Sequence, residues 1–170
     1  LGLKLLCRLN NIHRMVGHTL EVTYELIDHS LKVTHRVTNH GDADMYFSLG
    51  AHPAFNCSVG DFIGFPEDQT ARAYRLRSDC GLLTDEKITE GIKDHYFAIT
   101  PDAFTQDALI FEGLRSDEVI LYRNNTPCVT VNYGNAPCLG IVDHGKRHAV
   151  LHRASGIEAL ELCQQAGGET

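Results

Sequence analysis

The sequence predicts an all-β protein, an antiparallel sandwich or open barrel, and three observations carry that expectation. Apolar and polar residues alternate over Thr19–Ile27 and again over Leu31–Thr38, the period-two pattern of strands with one buried face. Turn-forming breaks follow each run, at Asp28-His29-Ser30 and at Asn39-His40-Gly41-Asp42. No segment before residue 142 shows the 3.6-residue apolar period of an amphipathic helix.

In the first run Leu20, Val22, Tyr24 and Leu26 share one side, with Thr19, Glu21, Thr23 and Glu25 on the other. In the second, Leu31, Val33, His35 and Val37 oppose Lys32, Thr34, Arg36 and Thr38. Met45, Phe47 and Leu49 continue the alternation as a third strand. Short turns between them predict a sequential antiparallel meander, with Gly41 free to take positive φ in the second turn. Ala51 to Thr70 reads as loop, broken by Pro53, Gly60, Gly64 and Pro66. A weaker strand is expected at Ala71–Arg77, and clear ones at Glu118–Arg123, Cys128–Tyr133 and Cys138–Ile141. Asn124-Asn125-Thr126-Pro127 is the turn joining the first two of those three. After Ile141 the alternation is lost, so 1–141 reads as one β portion and 142–170 as a divergent tail.

With 170 residues, 43% hydrophobic and 22% charged, the chain has the composition of one globular domain. Fifteen Lys and Arg against 22 Asp and Glu give a net charge of −7, which argues against nucleic acid or an anionic membrane as partner. No window reaches the roughly 18 apolar residues of a membrane span. Leu1–Leu9 carries Lys4 and Arg8 and lacks a small-residue cleavage site, so it is not read as a signal peptide. None of Cys7, Cys57, Cys80, Cys128, Cys138 and Cys163 falls in a C-x-x-C pair. They are expected to be reduced, mostly buried thiols of a cytoplasmic protein.

Chemistry is most legible in Ser48-Leu49-Gly50-Ala51-His52-Pro53-Ala54-Phe55-Asn56. His52 follows a strand end, and Pro53 restricts its backbone. Phe55 can pack beneath the loop and Asn56 adds a polar group, so the segment could present an imidazole in a pocket. The competing reading is a loop histidine bonded to backbone. Asp107, in Gln106-Asp107-Ala108-Leu109-Ile110-Phe111, is either a strand-end carboxylate aimed at ligand hydroxyls or a cap. Asp94 and His95 look like an acid–histidine pair, but neighbours on a strand face opposite ways. His144, His148 and His152 recur every four residues, as a metal-binding or a solvated helix face would place them. Phosphate-binding glycine loops, G-x-S-x-G elbows and H-E-x-x-H are absent.

Phe47-Ser48-Leu49-Gly50-Ala51-His52-Pro53-Ala54-Phe55-Asn56 resembles the histidine loop of the aldose 1-epimerase (galactose mutarotase) family, in particular its LacX-type bacterial branch. Leu31–Asn39 resembles the strand before that loop. Gln106–Leu114 with Ser116–Leu121 resembles the segment carrying a sugar-binding aspartate, and Val129–Ile141 the strands that lead to a C-terminal glutamate. The resemblance implies a large antiparallel β-sandwich and an enzyme that interconverts α and β anomers of a free aldose without metal or organic cofactor. It assigns ring-oxygen protonation to His52 and sugar hydroxyls to Asp107, with Asn56 and Phe55 beside them. A small-molecule sugar is the implied partner. The alternative is a carbohydrate-binding sandwich without a catalytic base.

Two departures accompany the resemblance. Nothing before Thr19 matches the longer N-terminal part of family members, where a further histidine and an arginine line the sugar pocket. The glutamate expected after Ile141, in a stretch like "W…PF.CIEPW", is missing, and Glu158 is the nearby substitute. Back-translating Val142–Ala154 and reading one nucleotide later allows W-T-T-G-K-D-T-P-F-(F or C)-I-E-P, close to the missing stretch. A frameshift after Ile141 is therefore expected, which would make the histidine ladder an artefact.

Overall fold

The computed structural model describes residues 3–11, 17–51, 53–76, 82–105, 108–134, 136–142 and 159–166. Every regular element among them is a β-strand, as the alternation predicts. No helix among the described residues is long and apolar enough to cross a membrane. The chain divides into two compact units, Leu1–Phe47 and Ser48–Ala166.

The first unit is a three-stranded antiparallel sheet of β1 (Leu3–Asn11), β2 (His18–Ile27) and β3 (Ser30–Asn39), in that order. Leu20 lies opposite Val37, Val22 opposite His35, Tyr24 opposite Val33 and Leu26 opposite Leu31, so the predicted apolar sides coincide. On the other face Glu21 faces Arg36, their charges 4.0 Å apart, and Glu25 faces Lys32. Such opposed charges fix the register, because a one-residue slip would exchange the two faces. Asp28, at φ 51°, begins the two-residue turn between Ile27 and Ser30.

Two expectations for this region are corrected, and β1 occupies a segment to which no strand had been assigned. The apolar side is not buried towards the turn: Tyr24, Leu26, Leu31 and Val33 are exposed, Leu31 to 62%. Gly41 does not use positive φ, which among the described glycines belongs to Gly60, Gly113 and Gly134. The turn after β3 is instead held by Asn39, whose Oδ1 accepts from the Gly41 amide at 2.9 Å and whose Nδ2 donates to the Ala43 carbonyl at 2.7 Å. This is the Asx-type turn that asparagine makes without needing a left-handed glycine.

The second unit carries β4 (Phe47–Ala51), β5 (Phe62–Gly64), β6 (Thr70–Leu76), β7 (Leu83–Lys93), β8 (Tyr96–Ala98), β9 (Leu109–Glu112), β10 (Glu118–Arg123), β11 (Thr126–Asn132), β12 (Cys138–Val142) and β13 (Ala159–Ala166). Its sheet order is β11-β10-β5-β8-β7-β6-β9-β12-β13-β4. β4 therefore lies beside β13 and does not extend β2 and β3 into a meander. Local alternation specifies a strand, whereas its partner is a non-local choice.

The main core is built from one set of alternate residues along these strands. Phe65, Phe111, Ile92, Leu139, Ile141 and Val119 are its fully buried members, with the Phe65 and Phe111 rings 5.8 Å apart. β10 shows the alternation directly: Val119 and Leu121 are buried, while Ile120 and Tyr122 are only partly so. Two hairpins close on paired left-handed residues, Asp94-His95 (φ 50° and 72°) between β7 and β8, and Asn124-Asn125 (φ 50° and 59°) between β10 and β11. Positive φ at both central residues matches the twist of flanking strands, and Asn and Asp tolerate it best. Asp94 and His95 are thus a turn and not neighbours on a strand. β13 falls in the stretch read as having lost its strand pattern, and it pairs with β12 from Cys138–Cys163 to Val142–Ala159 without a break.

Candidate functional site

β4 ends at Ala51, so the chain position after it is the histidine singled out by the sequence. His52, Asp107 and Glu158 all lie outside the described residues, as do His144, His148 and His152. The residues on either side of His52 are described. Pro53 is half-buried, Phe55 is half-buried and packs against the core cluster, Asn56 is exposed, and Cys57 is buried. The loop after β4 is therefore anchored from below by Phe55 and Cys57, with Asn56 facing solvent between them.

Ala108 and Leu109, which follow Asp107 in sequence, are buried at the start of β9. Ala108 and Val142 form a small apolar cluster with Leu76 and Ile110 packed on it. In the register of the sheet Leu109 lies opposite Ile141, and Ala159 opposite Val142. The first residues of β9 and β13 thus meet the last residues of β12 at one end of three adjacent strands. β4 is the next strand beyond β13.

A polar cluster that the sequence did not point to ties two loops of this unit together. Asp68, 7% exposed, accepts from the Arg115 amide at 3.0 and 3.1 Å and from the Ser116 amide at 2.8 Å. The Arg115 guanidinium donates to the Glu67 carbonyl, and its Nε lies 4.0 Å from Asp68. Ser116 Oγ accepts from the Glu67 amide at 2.8 Å, and Tyr133 Oη donates to the Ser116 carbonyl. Burial acts to raise the Asp68 pKa, but the Arg115 and Ser116 amides, the Ser116 hydroxyl and the Arg115 charge outweigh it. The carboxyl is held below its ordinary value, as expected for a carboxylate with several donors. Tyr133 is pushed well above the ordinary phenol value by burial, then by the charges of Asp68 and Asp117.

Asp61 plays a similar part nearby. Its Oδ2 accepts from the Ser58 amide at 2.7 Å and its Oδ1 from the Asn124 amide at 3.3 Å, which joins the loop before β5 to the β10–β11 turn. Both carboxylates are engaged by backbone amides from remote loops, which makes them structural staples. In the sequence each stands in a Gly- or Pro-flanked break, where an ordinary turn aspartate looks the same. Cys57 is buried as expected, but Cys138 is only half-buried and Cys128 is exposed. Among the described residues no three His, Cys, Asp or Glu side chains are placed to hold a metal ion.

The sequence matches the family model for aldose 1-epimerase over residues 18–166. The chain belongs to the aldose 1-epimerase family. The matched range runs through 142–166, the stretch read as divergent, and includes β13. Among solved structures the chain is similar to a galactose mutarotase-like protein from Lactobacillus casei ATCC 334, with a TM-score of 0.70 at 20% identity. That similarity covers 95% of this chain and 57% of the other. It is also similar to a candidate aldose 1-epimerase from Escherichia coli K12, with a TM-score of 0.65 at 19% identity, covering 96% and 55%. The fold is accordingly galactose mutarotase-like, and the chain spans a little over half the length of these two structures. No curated protein matches the sequence significantly.

Proposed function

We propose that this chain carries the histidine and aspartate side of an aldose 1-epimerase site and acts on a free aldose by acid–base ring opening. The observation that carries the reading is the family match over residues 18–166, which spans the His52 loop, Asp107 and the three strands that share one end. In this proposal His52 protonates the ring oxygen while a base removes the C1 hydroxyl proton. The C1–O5 bond breaks, the aldehyde rotates, and the reverse transfers close the ring on either face. No electrons change hands, so an acid and a base at the right pKa are chemically sufficient.

Asp107, just before β9, would accept from sugar hydroxyls, with Asn56 and Phe55 beside it. Glu158, just before β13, is the candidate base. β9 and β13 flank β12, so the strands that follow these two residues in sequence are separated by one strand only. The LacX-type likeness of the loop and the cytoplasmic setting belong to the same proposal.

One observation favours a second reading, a carbohydrate-binding sandwich without turnover: the family's glutamate segment is missing after Ile141. Polarimetry separates the two. Freshly dissolved α-glucose or α-galactose should lose its excess rotation faster with this chain, and His52→Ala should lower that acceleration about 10²–10⁴-fold. Folded protein, checked by circular dichroism, that binds sugar but gives no acceleration selects the binding module. Folded protein that does neither overturns both readings.

A further inference from the structure

Cys138 and Cys163 occupy directly opposed positions in the β12–β13 pairing. We propose that they are a redox-responsive thiol pair that closes to a cross-strand disulfide, a modification site independent of the catalytic reading. Directly opposed residues on antiparallel strands have Cα atoms about 4.5–5.5 Å apart and Cβ atoms on the same face. A disulfide needs Cα atoms about 4.4–6.8 Å apart, so the register puts the pair within reach, with closure drawing the Cβ atoms from about 4.5–5.5 Å to about 3.5–4.5 Å. The register is continuous through the next four pairs, Leu139–Leu162 to Val142–Ala159, so no bulge turns the two positions apart.

Cys138 is open to a small reagent. Cys138 is half-buried, and its thiol donates to Glu112 Oε1 at 3.8 Å, from the strand on the other side of β12. Cys7 lies opposite Val22 in β1–β2. Cys57 lies in the core. Exposed Cys128 stands where the β10–β11 register shifts, between Pro127 opposite Tyr122 and Val129 opposite Leu121.

Closure proceeds by thiol–disulfide exchange with a low-molecular-weight disulfide such as oxidised glutathione. One protein thiolate attacks the reagent and expels a reduced thiol, leaving a mixed disulfide. The second protein thiolate attacks that sulfur and expels the second reduced thiol. Two protons and two electrons leave the protein, and one reagent disulfide becomes two thiols. The product ties β13, the strand between β12 and β4, covalently to the sheet and closes a loop that contains Glu158. In a strongly reducing compartment the pair stays open.

Mass spectrometry of the wild-type chain tests this. The protein is equilibrated over a range of oxidised to reduced glutathione, quenched with an alkylating reagent, and cut with trypsin and chymotrypsin. Cleavage at Tyr133 separates Cys128 from Cys138. The expected result is a Cys138 peptide joined to the Cys163 peptide, two hydrogens lighter than their sum and released by reductant. It should dominate over every other Cys163 linkage, while Cys128 carries glutathione alone. Cys163→Ser should leave Cys138 without a protein-linked product, and denaturing the chain in urea before oxidation should erase the preference. Separate alkylated or glutathionylated peptides at every ratio would overturn the proposal. So would Cys163 joined to Cys7, Cys57 or Cys80 as often as to Cys138.

Discussion

Replacing Asp68 tests whether the polar cluster between β5–β6 and β9–β10 holds the second unit together. Asp68→Ala strips acceptors from two backbone amides, those of Arg115 and Ser116, and unpairs the Arg115 guanidinium from its 4.0 Å partner. Leaving a buried donor unsatisfied costs about 1–3 kcal/mol. Arg115 is exposed, so water can replace part of the loss there, which puts the total at about 2–4 kcal/mol. In a domain of this size about 1 kcal/mol moves Tm by roughly 2–4 °C, so Tm should fall by about 5–15 °C. Asp68→Asn keeps one carbonyl oxygen but turns a donor towards an amide, so it should fall in between. Thermal unfolding followed by far-ultraviolet circular dichroism reads all three proteins. The pH dependence has a definite sign. The folded carboxyl lies below its ordinary value of 3.8, so its contribution is fully present above that value and is lost as pH falls through the lower folded one. The gap between wild type and Asp68→Asn should therefore be constant at neutral pH and narrow only below about 4. A Tm change under about 2 °C for Asp68→Ala, or a gap that narrows between pH 7 and 5, would refute the argument.

Tyr133→Phe removes the bond to the Ser116 carbonyl and should cost about 0.5–1.5 kcal/mol, measured by urea unfolding. In the wild type, an ultraviolet pH titration should show one tyrosine that ionises only as the protein unfolds. Gly91→Ala would set a Cβ 2.0 Å from the Ala71 carbonyl oxygen and 3.0 Å from Arg72 Cα. Both are backbone, so β6 and β7 must part, at about 1–3 kcal/mol or more. Gly64→Ala meets mainly the Tyr122 ring, at 2.8 Å, which can swing aside, so its loss in Tm should be smaller. Asn125→Gly relieves a left-handed residue at φ 59° and should raise stability by up to about 1 kcal/mol.

The strand class was legible because most strands have one face towards a core and one towards water, which writes itself as alternation. β10 and β11 follow that rule, β2 and β3 keep the alternation of residue types without a fully buried face, and β12 is an apolar run buried on both faces. β7 escaped because Leu83–Lys93 buries only Ile92, and Glu, Asp and Lys fill half of its other positions. β5 and β8 are three residues long, shorter than any periodicity can register. β4 was visible as a strand, yet its place beside β13 depends on residues more than a hundred positions away. Asp61 and Asp68 were invisible for a different reason. Their role comes from backbone donors supplied by remote loops, and a turn aspartate carries no mark of that in its own neighbourhood.

The His52 loop was legible through covalent restriction and composition. Pro53 limits the backbone of the residue before it, and Phe55 supplies the apolar anchor that the fold then uses. Asp107 was read as a strand-end carboxylate or a cap, and Glu158 only as the carboxylate nearest to the missing glutamate. The register gives those positions a meaning. Leu109 and Ala159 oppose consecutive residues at the end of β12, so two segments 50 positions apart in sequence begin at the same end of the sheet. The same logic orders the experiments. If Glu158 is the base, Glu158→Gln and His52→Ala should each abolish acceleration of mutarotation, and the double variant should be no worse than either alone, since an acid without its base, or a base without its acid, cannot open the ring. Additive losses, each multiplying the other, would mean that the two groups act independently and that another residue supplies the base.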